Sequence, residues 1–345
     1  MVIRVDSWAV NAVEKPFMNS VYDIQTLEKL IRDPYQRKKF LNAYLKKALP
    51  PEECLNLAPK TEGILFHTFK CMEQHHSEID GATKLVFTTE DNLRVETVIL
   101  RIASGRTSLC ISSQIGCAAD CQFCATGSMG FVRNLTAAEM LDQVLLAKRL
   151  LREEGRRLRN VVVMGMGEPL HNEENLFQCL ETLRDPRFFN LSERHLMVST
   201  VGVPDAMVRF AERFPGIQLA LSLHSARQEV REQLMPIAKF QGLEKLREIL
   251  PNLGKSMVEY LMLKGVNDSL EDLAALIDFL NGTNAHINLI QFNAHPGAKY
   301  EPVSSEARKA FGDALKNAGF KVTLRYSLGE DIAAACGQLG EKAEG

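Results

Sequence analysis

Gly116-Cys117-Ala118-Ala119-Asp120-Cys121-Gln122-Phe123-Cys124 carries three cysteines at positions i, i+4 and i+7. A loop of this length can gather three thiolates. Soft thiolate ligands select iron–sulfur clusters, zinc or copper(I). A cubane cluster needs a ligand on each of its four irons, normally a cysteine, and no fourth cysteine stands beside the motif. One iron is thereby left for a ligand that is not protein. Structural zinc would want a fourth Cys or His, usually from a second paired motif, and none stands at that spacing.

Working outward, strands and helices alternate from about residue 107. Strand-like runs are 108–113, 160–165, 195–200, 217–223, 257–263, 286–292 and 321–325, rich in Val, Ile and Leu. Their nearly continuous apolar character suits strands buried on both faces. Helical runs fall between them at 136–151, 173–183, 204–214, 243–250, 269–280 and 305–318. Thr136 with Glu139 forms a capping-box signature. This rhythm predicts βα units on a parallel sheet, six or seven of them, with functional residues at the strands' C-terminal ends.

Upstream, residues 84–102 alternate in hydrophobicity around the turn Thr89-Glu90-Asp91-Asn92, a β-hairpin signal. Residues 1–75 read as mostly helical, punctuated by Pro34 and Pro50-Pro51. The expected division is 1–80 helical accessory region, 81–106 hairpin linker, 107–340 core barrel and 341–345 tail.

At 345 residues, 46% hydrophobic and 24% charged, the chain suits a globular enzyme. No apolar run reaches the roughly 20 residues of a membrane span, and the N-terminus lacks a signal-peptide pattern. A cytoplasmic protein, expected to be monomeric, follows. Eight cysteines in such a chain argue for ligands or catalysis rather than staples. A formal charge of −2 is not that of a generic nucleic-acid binder, so any RNA contact needs local patches. Arg37-Lys38-Lys39 with Lys46-Lys47 is one candidate. The run Lys148, Arg149, Arg152, Arg156, Arg157, Arg159 is another, although a solvated helix face explains it as well.

Several residues outside the cysteine motif stand at expected strand ends. Gly167 and Glu168 follow one strand in Met164-Gly165-Met166-Gly167-Glu168-Pro169; glycine lets backbone approach a ligand, and a carboxylate can receive an ammonium group. Ser199 ends the next strand, Ser222-Leu223-His224 the one after, and Asn293 a later one. Ordinary loop capping by Ser and Asn would explain such residues individually, and a lone His is commonly structural. Cys110 lies seven residues before Cys117, and Cys336 sits near the C-terminus in Ala335-Cys336-Gly337-Gln338-Leu339, where small neighbours suggest an accessible, flexible loop. Cys54, Cys71 and Cys179 read as small buried hydrophobes.

The motif Cys-x3-Cys-x2-Cys with Phe123 before its last cysteine resembles that of the radical S-adenosylmethionine (SAM) superfamily. The longer string Cys-Ile-Ser-Ser-Gln-x-Gly-Cys-x3-Cys-x-Phe-Cys-Ala-Thr-Gly, residues 110–127, is similar to the RlmN/Cfr family, which methylates adenine in RNA. The resemblance covers roughly residues 84–340. It implies an α/β fold: a partial (β/α)6 TIM-type barrel with a small helical N-terminal region and a hairpin extension. It implies a [4Fe-4S] cluster on Cys117, Cys121 and Cys124, with SAM on the remaining iron. Gly167, Glu168, Ser199, Ser222, Leu223, His224 and Asn293 match SAM contacts. Cys110 and Cys336 resemble the family's pair of catalytic cysteines, and Glu96 its proposed proton acceptor, though Glu96 stands one residue farther from Cys110 than the family pattern has it.

What the resemblance implies for chemistry follows from the inertness of an aromatic ring carbon. Cys336 takes a methyl from one SAM; a radical made from a second SAM withdraws hydrogen from it; the resulting methylene adds to adenine C2 or C8, leaving RNA tied to Cys336. Cys110 then attacks the Cys336 sulfur and releases product with a transient disulfide, while Cys110 or Glu96 takes the ring proton. The implied substrate is adenine in 23S rRNA, and for some members in tRNA. Met-Gly-Glu-Pro-Leu and Pro-Gly-Ala-x-Tyr favour C2, whereas Ala-Thr-Gly and Leu-Met-Pro-Ile favour C8; C2 is preferred. An electron donor such as flavodoxin or ferredoxin is implied. Two other readings stay open: a radical SAM activase or maturase acting on a protein or peptide, and a non-catalytic iron–sulfur RNA-binding protein.

Overall fold

The computed structural model describes residues 2–4, 20–57, 64–254 and 256–340. The expected tail at 341–345 lies outside them. The chain opens with β1 (Val2–Arg4), then α1 (Ile24–Leu30), α2 (Pro34–Leu41) running into a π-helical turn at Asn42–Lys46, and α3 (Pro51–Leu55). Asp23 and Asp33 cap α1 and α2 through their carboxylates. The helical expectation then ends early, because β2 (Phe69–His76) is a strand. It pairs antiparallel with β3 (Ala82–Thr89), which pairs with β4 (Arg94–Arg101), so the expected hairpin is two strands of a three-stranded meander.

β4 pairs antiparallel with β5 (Thr107–Ile111), Val98 facing Cys110. From β5 the sheet turns parallel. A short ribbon of β6 (Gln114–Gly116) and β7 (Phe131–Asn134) flanks α4 (Ala125–Ser128). There follow α5 (Ala137–Glu153), β8 (Asn160–Val163), α6 (Glu173–Arg184), β9 (Leu196–Thr200), α7 (Pro204–Arg213), β10 (Gln218–Ser222), α8 (Gln228–Leu234), α9 (Leu243–Ile249), β11 (Ser256–Met262), α10 (Leu270–Leu280), β12 (His286–Gln291), α11 (Ser305–Asn317) and β13 (Lys321–Arg325). The order β5-β8-β9-β10-β11-β12-β13 gives seven parallel strands, that is, six βα units and a last strand. β1 and β13 are the two edges of the large sheet, so the barrel is partial, as the resemblance implied.

Strands are buried on their helix-facing side by Leu109, Val161, Val163, Val198, Leu219, Val258 and Ile287, each at or below 2% exposure. The opposite face lines a lumen: Ser108 and Cys110 on β5, Asn160 and Val162 on β8, and Met197 and Ser199 on β9 are half-buried in strict alternation. Where β5 leaves the sheet, the buried Gln143 of α5 accepts the Ser112 N–H (2.8 Å) and donates to the Ser112 carbonyl (3.1 Å). That satisfies a backbone break that would otherwise cost free energy.

The N-terminal helices pack onto α5. Asp142 accepts hydrogen bonds from the Tyr22 hydroxyl (2.6 Å), the Thr68 amide (2.6 Å) and the Thr68 hydroxyl (2.7 Å). Lys148 donates to the Leu45 carbonyl (2.6 Å), and the Arg149 guanidinium lies 4.8 Å from the Tyr44 ring centre. The first two cations of the basic run are therefore docking residues, not a solvated face.

Candidate active site

The cysteine loop leaves the β6–β7 ribbon at Gly116, where φ is +71° and a Cβ would lie 1.8 Å from the Gly130 carbonyl oxygen. Only glycine fits there. Cys117 N–H donates back to that carbonyl (3.0 Å). Asp120 takes a left-handed conformation at φ +51°, Gln122 N–H donates to the Leu234 carbonyl (2.9 Å), and Cys124 N–H to the Cys121 carbonyl (3.1 Å). The loop lies against an apolar cluster of Ala119, Phe123, Val201, Val230, Leu234, Met235, Leu261 and Phe292.

Burial pushes the Cys117 thiol up to about 12 and the Cys121 thiol well above its ordinary value, each raised further by neighbouring thiolates. Among the described residues no three His, Cys, Asp or Glu side chains are disposed to hold a single metal ion. A cubane asks for something else, one thiolate per iron around a body several ångströms wide. Three mutually interacting thiols in an apolar wall suit it. A buried cation completes the fit: Arg231 is 0% exposed, its guanidinium donates to the Val201 and Gln241 carbonyls, and its charge interacts with Cys121. Its Nε has no partner among the described residues. Nothing in the sequence marks Arg231, since an arginine in a short amphipathic helix reads as surface.

The Gly-Met-Gly-Glu turn is knitted to the loop's entry. Ser113 and Gln114 N–H groups donate to the Met166 carbonyl (2.9 and 3.1 Å), and Glu168 N–H donates to Gln114 Oε1 (2.8 Å). At Gly167, φ +100°, a Cβ would fall 2.5 Å from that of Gln114. Glu168 is 2% exposed. Its Oε1 accepts Leu170 N–H (3.0 Å) and its Oε2 accepts Val201 N–H (2.7 Å). Burial raises its carboxyl to about 7 against those bonds. The Thr200 hydroxyl adds a third hydrogen bond, and a carboxylate with about four acceptor positions still has room for an ammonium group.

The other strand-end residues divide. Ser199 and Ser222 hydroxyls meet at 3.1 Å, both half-buried and facing the lumen. Leu223 is fully buried. His224 accepts Leu261 N–H at Nδ1 (3.0 Å), its carbonyl accepts from Asn267 Nδ2 (2.6 Å), and its ring meets Phe123 edge-on at 4.9 Å. Burial lowers its imidazole to about 3. His224 thus buttresses the cysteine loop. Asn293 donates from Nδ2 to Ser327 Oγ (2.8 Å) and to the Cys336 carbonyl (3.0 Å); its own carbonyl oxygen remains for a ligand.

Cys336 is tied down rather than floppy. Gly337 and Leu339 carbonyls accept from Ala125 N–H (2.7 Å) and the Thr126 hydroxyl (2.6 Å), just past the cysteine loop. Gln338 donates to the Ala294 carbonyl (2.6 Å), and Gly340 N–H donates to Glu96 Oε2 (3.1 Å). The Cys336 side chain is exposed, yet surrounding protein desolvates it and raises its thiol to about 11, with Arg325 opposing and Glu259 and Cys124 assisting. Cys110 shares that enclosure: burial and Cys336 push it up to about 12, and Arg325 opposes. Arg325 itself donates to Glu259 Oε1 (3.2 Å), which also accepts from Asn288 (3.3 Å). This lumenal ion pair, like Arg231, was invisible in the sequence because its partners come from different strands. Glu96 is buried on β4, two residues closer to the barrel mouth than Val98, which faces Cys110, and its carboxylate lies 3.8 Å from Lys84.

Residues 111–280 match the Radical SAM superfamily. A probable RNA methyltransferase of Rhodopirellula baltica is 50% identical over 89% of this chain and 83% of its own. A probable dual-specificity RNA methyltransferase RlmN of Chlorobium phaeovibrioides is 40% identical over 90% and 89%. Among solved structures, a radical SAM methyltransferase from Sphaerobacter thermophilus superposes with a TM-score of 0.83 at 33% identity, covering 92% of this chain and 98% of that one. With its three-thiol loop, glycine-rich strand end and partial barrel, the chain belongs to the RlmN/Cfr family of radical SAM RNA methyltransferases, which work with a [4Fe-4S] cluster and S-adenosylmethionine.

Proposed function

We propose that the protein methylates C2 of adenine in 23S rRNA, and adenine in tRNA, through a methyl group carried on Cys336. The observation that carries this reading is the common enclosure of Cys110 and Cys336 beside the cysteine loop. The Chlorobium relative is a probable dual-specificity RNA methyltransferase, which fits two kinds of RNA substrate. An activase or maturase would have no use for the second pair of thiols, and a non-catalytic RNA binder none for Glu168, Ser199 and Asn293.

Cys117, Cys121 and Cys124 hold the cluster, and Arg231 offsets part of its negative charge from within the apolar wall. When bound there, the cluster would supply the electron for reductive cleavage of SAM. Glu168 receives the SAM ammonium group; Gly167 lets that backbone approach; Ser199, Ser222, Leu223, His224 and Asn293 line the same strand ends. Cys336 attacks the SAM methyl as a thiolate, favoured by the Arg325 charge. After hydrogen is withdrawn from that methyl, its carbon bonds to the ring, and Glu96 or Cys110 takes the ring proton. The adduct gives up the electron that began the cycle, and Cys110 forms a disulfide with Cys336 as the Cys336 sulfur–carbon bond breaks, the freed methylene carbon taking a proton to become the methyl group.

Methyl transfer to RNA in the presence of SAM and a low-potential reductant tests the scheme. Cys336→Ala should abolish turnover. Cys110→Ala should accumulate RNA crosslinked to protein. Turnover by the first variant, or free product without crosslink from the second, would overturn it.

A further inference from the structure

The lumen is also open from below. A cavity of about 700 Å³ enters between the N-terminal ends of the parallel strands and is lined by Arg106, Arg159, Arg194 and His195 at its rim, a volume in the range of small-molecule sites. It reaches inward to Met164 and Arg325. Two things set it apart. No carboxylate lines it, and Arg106, Arg159 and Arg194 form no ion pair among the described residues, in a chain whose net charge is −2. The positive field is felt locally: desolvation, Arg194 and Arg159 all lower the His195 imidazole. Unpaired arginines in a concave, low-dielectric opening concentrate anions.

The inner end lies beside the reacting sulfurs. Ser108, which lines the cavity, shares its lumenal face with Cys110 two residues on. Val162, another lining residue, is the β8 partner of Cys110. Arg325 Nη1 stands 3.7 Å from the Met164 sulfur and 3.2 Å from Glu259, so a flexible thioether and one cation separate the cavity from the thiol pair above.

We propose that this basal cavity binds a small anionic thiol and delivers it to the Cys110–Cys336 disulfide, an inference that rests on the thiol cycle under Proposed function. That cycle leaves one disulfide per product, so each turnover consumes two reducing equivalents. The entering thiolate attacks the Cys110 sulfur; the disulfide breaks and Cys336 leaves as a thiolate. A second thiolate attacks the ligand's sulfur in the mixed disulfide, freeing Cys110 and releasing the oxidised ligand. Two thiols are oxidised and one protein disulfide is reduced. The rim arginines attract the carboxylate of the ligand, and Arg325 offers it a second cation at the inner end.

The test uses the anaerobic holoenzyme with its disulfide formed by a stoichiometric thiol oxidant and verified by peptide mass spectrometry. Reduction is timed with 3-mercaptopropionate, 2-mercaptoethanol and cysteamine, each normalised to its rate on an uncharged small disulfide. At low ionic strength the anion should outrun the cation by about tenfold, an advantage that salt removes. The double variant R159E/R194E changes two exposed side chains; it should reverse that order and leave the neutral thiol within about twofold, which also reports intact folding. An order unchanged in the variant, or insensitive to salt, overturns the basal site and leaves the thiol cycle standing. Absence of a Cys110–Cys336 bridge in the oxidised wild type overturns both.

Discussion

His224 holds its backbone at φ +55°, a region that asparagine tolerates far better than most side chains. His224→Asn should therefore keep the turn, and the Asn Oδ1 can accept the Leu261 N–H now held by Nδ1. What it loses is the edge-on contact with Phe123, about 1 kcal/mol at pH 7.5. It also loses a proton-linked liability. The folded imidazole stays neutral down to about 3 against an ordinary value of 6.5, so the unfolded state takes up the proton first. The stability of the neutral histidine is thus complete above 6.5 and drains away as pH falls from there toward 3. Glu168 runs the other way, its folded value near 7 lying above the ordinary carboxylate value of 4.5, so folding holds its proton more tightly and stability falls as pH rises through that window. Because Glu168 is common to both proteins, it cancels in their difference. Denaturant melts at pH 7.5, 6.5 and 5.5 should show wild type losing stability faster than His224→Asn by up to about 1.4 kcal/mol per pH unit. Equal slopes would mean that the folded imidazole takes up its proton at the same pH as the unfolded one.

At the scale of elements, the contact between the N-terminal helices and α5 turns on Asp142, which is fully buried and accepts from Tyr22 and twice from Thr68. Asp142→Ala strands two hydroxyls and an amide in the interior, each unpaired group costing about 1–3 kcal/mol. A loss of about 3 kcal/mol in a urea melt is expected, with faster proteolysis across residues 20–57; an unchanged midpoint would show that apolar packing alone seats the helices. Such contacts mark the boundary of what sequence discloses. The seven parallel strands lie within two residues of their apolar runs, although the lumenal face of β5, β8 and β9 is only half-buried, so these strands alternate rather than being buried on both faces. The Thr136–Glu139 capping box likewise writes its own start signal. β2 escaped because a bulge between Phe69 and Cys71 breaks its period of two, and β6 and β7 because three or four residues carry no periodicity. The thiols were legible as a spacing. Arg231, Glu259 and Arg325 were not, since a buried charge is explained only by partners that the fold brings from elsewhere.

Taken whole, the molecule is an open sheet closed by its own C-terminal segment. After β13 the chain returns to the antiparallel meander: Gly329 N–H donates to Asp80 (2.7 Å), Asp331 accepts from Ser77 (2.8 Å), and the Ala333 carbonyl accepts from Lys84 (3.3 Å). It then crosses the barrel mouth, bonding α4 through Ala125 and Thr126, the end of β12 through Asn293 and Ala294, and β4 through Glu96. The cysteine loop is thereby one wall of a ring whose other walls are the meander and the segment bearing Cys336. Cluster binding that orders Cys121–Cys124 must stiffen Ala125 and Thr126, and through them residues 335–340. Removing iron with a chelator should loosen that segment by about one hydrogen bond, roughly 1 kcal/mol, or about fivefold faster amide exchange there. Alkylation of Cys336 should speed up alongside. Asp80 and Ser77 hold the far end independently of the loop, so exchange near Gly329 should not change. Hydrogen-exchange mass spectrometry of holo and iron-free protein reads all three regions at once. Exchange at 335–340 that ignores iron would mean that Cys336 is positioned by the meander and β12 alone.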